Sequence, residues 1–173
     1  FSIDHSFNLS NTNNQAGYAA YDTATKITYF SRRQVQSIEN VLSSKYTFTN
    51  RMGITLRARH YWSKVDPKQF YTLDNTGNLN TPTIPFTKNV NQNYNFFSVD
   101  MVYTWQFAQG SFINIVYKQI ADEFLFGQPI ENNYGKNIDN TLKTPQFNSL
   151  SLRVIYFIDY ITAKNKVKRK NKV

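Results

Sequence analysis

Few residues of this chain are equipped for chemistry. Its only histidines are His5 and His60 and it has no cysteine, so neither a thiolate metal site nor a disulfide framework can form. Neither histidine stands in a His-x-x-Glu pattern, and both lie on the apolar side of alternating segments, where a structural or interface role is the simpler account. Asp122 and Glu123 are adjacent carboxylates in a stretch read as a loop, and solvation accounts for them. The glycines form no phosphate-cradling fingerprint. The chain therefore reads as non-enzymatic, with no cofactor and no metal.

What remains is charge at regular intervals. Glu39, Lys45, Arg57, Arg59, Asp100, Lys118 and Arg153 recur on one parity of alternating segments. Paired with one another, such groups fill a polar barrel interior; exposed along a pore, they line a conduit and set its ion selectivity.

The elements that must position these charges are strands. In VDMVYTWQFAQGSFINIVYK, residues 99–118, apolar side chains occupy Val99, Met101, Tyr103, Trp105 and Phe107, and polar ones most of the positions between. Period two over this length, broken once at Gln109 and Gly110, predicts a hairpin. Parity constrains its turn. A two-residue loop of Gln109 and Gly110 sets Trp105 opposite Asn114 and mixes apolar with polar. A three-residue loop over 109–111 sets Phe107 opposite Ile113, Trp105 opposite Ile115 and Tyr103 opposite Tyr117, with Asp100 diagonal to Lys118. One face is then wholly apolar, as burial of that face requires.

A second hairpin of the same kind is predicted around residues 50–53. Ile38, Leu42, Tyr46 and Phe48 share one parity, as do Ile54, Leu56, Ala58, His60 and Trp62, and an odd loop sets Phe48 opposite Ile54. An amphipathic helix is the rival for residues 34–50, because Ser31 with Gln34 resembles a capping box and Val35, Ile38, Val41 and Leu42 fit a helical spacing. The short turn leading directly into another alternating run favours the strand. Further alternation covers residues 1–9 and 148–160, giving about six strands. Residues 11–17 are expected to form a polar loop tip, and 63–93 and 119–146 long connections rich in Pro, Gly and Asn.

Short and long connections alternate strictly, and an alternating strand of about eleven residues tilted by about 45° spans roughly the 25 Å apolar band of an outer-membrane barrel. Tyr46, Phe48, Trp62, Phe97, Trp105, Phe107, Phe112, Tyr117 and Tyr160 are the candidate membrane-interface aromatics. The fold expected is all-β: an antiparallel up-and-down transmembrane β-barrel over residues 1–160, with short periplasmic turns and long extracellular loops. Closed bacterial barrels need at least about eight strands. The chain is thus expected to be the C-terminal part of a larger barrel, completed by upstream strands or by another chain.

Composition is compatible with this. Mean hydropathy is −0.53 and no apolar run approaches a membrane helix, but barrel strands carry polar residues on every second position. Of 173 residues, 20 are Lys or Arg, and the net charge is +9. Six of those cations lie between Lys164 and Lys172, in a basic tail over 161–173 that carries no acid. The rest of the chain is nearly neutral, so nucleic acid is not expected as a partner. The tail reads as a solvated run, with anionic lipid headgroups as its functional alternative.

RARHYWSKV (residues 57–65), VDMVYTWQFAQGSFINIVYK (99–118) and NSLSLRVIYFIDY (148–160) resemble the C-terminal end of a Bacteroidota family of large outer-membrane proteins of unknown function. In that family a carbohydrate-binding-like module precedes the barrel. The resemblance implies an outer-membrane location and the last strands of such a barrel more than it implies a function, and a role in glycan handling follows from it alone. The function expected is that of a non-enzymatic barrel segment serving as anchor, conduit or envelope-complex subunit, in glycan handling or protein export, in a Gram-negative outer membrane, C-terminus periplasmic. The rival from another class is a soluble, aromatic-rich β-sandwich that binds glycans through exposed Tyr and Trp.

Overall fold

The computed structural model describes residues 1–159, and Tyr160 and the basic tail lie outside them. The described residues form one antiparallel sheet. Its strands are β1 (Ser2–Asp22), β2 (Ile27–Thr49), β3 (Met52–Leu73), the two-residue β4 (Leu79–Asn80), β5 (Gln92–Ala108), β6 (Ser111–Phe126) and β7 (Gln146–Ile155), with one helix, α1 (Tyr134–Lys143), before β7. The long strands lie in chain order, β1-β2-β3-β5-β6-β7, and β4 pairs only with β3. Among the described residues the sheet is not closed: β1 and β7 are its edges.

Residues 34–49 are strand, and the helical spacing within them is unused. Every residue from Val35 to Thr47 has a ladder partner on β3, and the β-branched and aromatic residues there suit a pleated surface. Residues 11–17 are not a loop tip. β1 continues through them, slipping register between Thr12 and Gln15, where Asn14 takes a φ of 57°. Asparagine tolerates that left-handed conformation, so the polar run is absorbed as an irregularity and the turn comes after Asp22. The expected long connections are likewise shorter, because β3 runs on to Leu73, β6 runs on to Phe126, and α1 occupies much of the stretch between β6 and β7.

Both short hairpins keep the parity read from sequence but reach it differently. Each has a two-residue turn, Asn50-Arg51 or Gln109-Gly110, and each ladder slips by one residue beside it, at Phe48 and at Phe107. Trp105 therefore pairs with Ile113, Tyr103 with Ile115 and Tyr46 with Ile54, two residues from the expected register. An extra residue keeps the faces matched whether it sits in the loop or in the ladder as a bulge. Gly110, at a φ of 73°, supplies the left-handed backbone this turn needs without steric cost.

Candidate functional site

Register sorts the side chains into two faces. Asp4, Ser43, Arg57, Asp100, Lys118 and Ser149 form one row across six strands. Glu39, Lys45, Arg59 and Arg153 fall on the same face in neighbouring rows. All seven charged positions singled out from sequence thus share one side. The rows offset by one residue carry Ile3, Leu56, Met101, Tyr117 and Leu150, and then Tyr46, Ile54, Tyr103, Ile115 and Leu152, on the opposite side.

The charged face is unevenly neutralised. Arg59 Nε donates to Glu39 Oε1 at 2.7 Å and its guanidinium stands 5.8 Å from the Phe96 ring centre. Asp100 sits directly opposite Lys118, not diagonal to it, at 3.9 Å. Arg57 and Lys45 make no ion pair among the described residues. They line a depression of about 360 Å³ together with Asp4, Ser43, Thr55 and Asp100. An unpaired guanidinium beside hydroxyls can attract a passing anion, whereas Arg59 is already committed to Glu39.

Near the short turns the opposite face is apolar and open to the surroundings. Leu42, Tyr46, Leu56, Trp105, Leu150 and Leu152 are all exposed, Leu150 by 73%. Phe48 packs edge-on against Tyr46, and Phe107 stacks on Tyr156 at 6.2 Å. Phe97 and Tyr117 share this face. Phe112 does not: it pairs with Gln106 and Ile155 on the charged face.

Eight residues along β3 from the turn, the apolar face changes character. His60 and Trp62 are buried beneath α1. His60 Nδ1 lies 2.9 Å from the Tyr134 hydroxyl, which also binds the Asn40 amide. Trp62 Nε1 donates to Asn93 Oδ1 at 2.6 Å, and the amides of Asn93 and Asn95 both donate to Asn137 Oδ1. The helix starts at the Asn133 cap, whose side chain accepts the Lys136 amide at 3.0 Å, supplying one of the bonds a helix N-terminus lacks. Sequence reasoning missed this docked helix. Its spacing of Tyr134, Ile138 and Leu142 is the signal that could have shown it, but Gly, Asn and Thr are weak helix formers.

At the far end two carboxylates are held below the usual range, Asp74 well below it. Asp22 is lowered chiefly by its hydrogen bond with Lys88 and then by that of Thr25. Asp74 accepts the Thr76 hydroxyl and the Thr76 and Asn78 amides in a tight turn. Among the described residues no group of three His, Asp or Glu side chains could hold a metal, and no helix is long and apolar enough to cross a membrane.

A family model described as a domain of unknown function, DUF5916, matches residues 1–167. No curated protein and no solved structure matches the chain.

Proposed function

We propose that this chain, which belongs to the DUF5916 family of domains of unknown function, is a wall segment of an outer-membrane β-barrel of a Gram-negative bacterium. Its apolar face meets lipid, its charged face lines the lumen, and its short turns and the end of β7 lie on the periplasmic side. The role is non-enzymatic: anchor and conduit within an envelope complex, with outer-membrane lipid and other outer-membrane subunits as partners. Because β1 and β7 leave ladder groups unpaired and open edges are not tolerated in hydrocarbon, further strands of the same polypeptide or of another chain complete the barrel.

One observation carries this proposal: over the turn-proximal half of the strands, an exposed apolar face backs directly onto a charged one. A patch that extends across six strands exceeds what soluble surfaces ordinarily expose. Its helix-free height falls somewhat short of the roughly 25 Å apolar band of an outer-membrane barrel. From Trp105 to Phe97, where the helix-covered row begins, β5 advances eight residues, about 26 Å along the strand or roughly 19 Å after a 45° tilt. Aromatic rings mark the turn end of that band and the asparagine network beneath α1 marks the other.

The test is fractionation of cells making the protein that carries this chain. Recovery in the detergent-extracted outer membrane, with different gel mobility before and after boiling, is the expected result. Free solubility without detergent would refute the membrane assignment.

A further inference from the structure

We propose that residues 81–91, between β4 and β5, form a fixed constriction over the long-connection mouth of the lumen, with Phe86 as its pin and exclusion by size as its effect. The inference rests on the barrel assignment above and concerns a segment with none of the conspicuous charge.

The segment folds onto the charged face. Tyr29 and Ser31 share the parity of Glu39 along β2, and Phe70 pairs with Ser31. Phe86 packs its ring 4.7 Å from that of Tyr29 and 4.8 Å from that of Phe70. Tyr29, Ala19 and Val90 form the core of this cluster, and Tyr29 is 1% exposed. On the opposite face it is α1 that covers the strands, so the two long connections fold to different sides of the sheet.

Polar contacts fasten the segment along its length. The Tyr29 hydroxyl donates to the Ile84 carbonyl at 3.0 Å, Lys88 Nζ reaches Asp22 Oδ1 at 2.9 Å, and the Gly127 amide donates to the Asn91 carbonyl at 2.8 Å. Pro82 and Pro85 restrict the backbone between them. A connection needed only to join two strands stays on the outside and stays polar. This one lays the half-buried Phe86 ring on the charged face against Tyr29 and Phe70, so it occupies cross-section that a solute would otherwise use, and it passes small hydrophilic solutes in preference to large ones.

The experiment uses the complete barrel-bearing protein in planar bilayers, with polyethylene glycols of graded mass as size probes. Phe86→Ala and a second variant with residues 82–89 replaced by a short Gly-Ser linker are compared with the parent. Admission of larger polymers by both variants, or conductance that appears only in them, is the expected result, together with protease cleavage within 81–91 in Phe86→Ala alone. A conducting parent whose size limit is unchanged in both variants overturns the constriction while leaving the barrel standing. So does a heat-modifiable barrel that stays closed in all three proteins. Absence of both conductance and heat-modifiable mobility defeats the barrel assignment itself.

Discussion

A lysine introduced at Met101 or at its chain neighbour Val102 reports which side of the sheet meets lipid. The two residues are adjacent on the central strand β5 but face opposite ways: Met101 pairs with Leu56 and Tyr117, and Val102 with Thr55 and Val116. Met101 lies four residues from Trp105 and four from Phe97, about 13 Å along the strand in each direction, and so near the middle of the proposed band. A lysine at the lipid-facing midplane of a barrel costs about 2–4 kcal/mol, or roughly 30- to 700-fold in the folding equilibrium. Val102→Lys, beside Asp100 and the open depression, is expected within about 0.5 kcal/mol of the parent. Denaturant unfolding of the protein in phospholipid vesicles reads both values. Equal costs at the two positions, or a negligible cost at Met101 in lipid, would refute the assignment of faces.

The unpaired Arg57 should dominate selectivity. Arg57→Ala is expected to shift the reversal potential toward cations under a salt gradient, and Arg59→Ala to shift it less, since Glu39 already neutralises that guanidinium. Asp22 has a lowered pKa in the folded state, so the stabilisation it gives is fully present above the unfolded carboxylate value near 3.9 and is lost as pH falls through the folded one. Amide exchange around Asp22 and Lys88 should accelerate below about pH 4 in the parent, and Asp22→Asn should abolish that acid-specific step. Asn137→Ala removes the acceptor shared by Asn93 and Asn95 and is expected to cost about 1–3 kcal/mol, with proteolysis of α1 as the readout.

Alternation in the sequence was sufficient for much of the fold and for one property of the candidate site. Side-chain direction along a strand is a local consequence of backbone pleating. Glu39, Lys45, Arg57, Arg59, Asp100, Lys118 and Arg153 could therefore be assigned to one face before any pairing was known. The same locality explains what was missed. His60 and Trp62 were rightly placed with Ile54 and Leu56, yet nothing in their own segment says that a helix more than seventy residues later covers them.

Sequence by itself determined that the chain is strand-built, that its long strands run up and down in order, and that apolar and charged side chains part to opposite faces. Tertiary structure alone decided where the extra residue of each hairpin goes, since a loop and a bulge at Phe48 or Phe107 satisfy the same parity. It also decided that Arg59 is neutralised while Arg57 is not, and that Phe86 packs against Tyr29 and Phe70 on the charged face. Periodicity is written between neighbours along the chain. Ion pairs, bulges and the covering of a face depend on which distant residues arrive opposite one another.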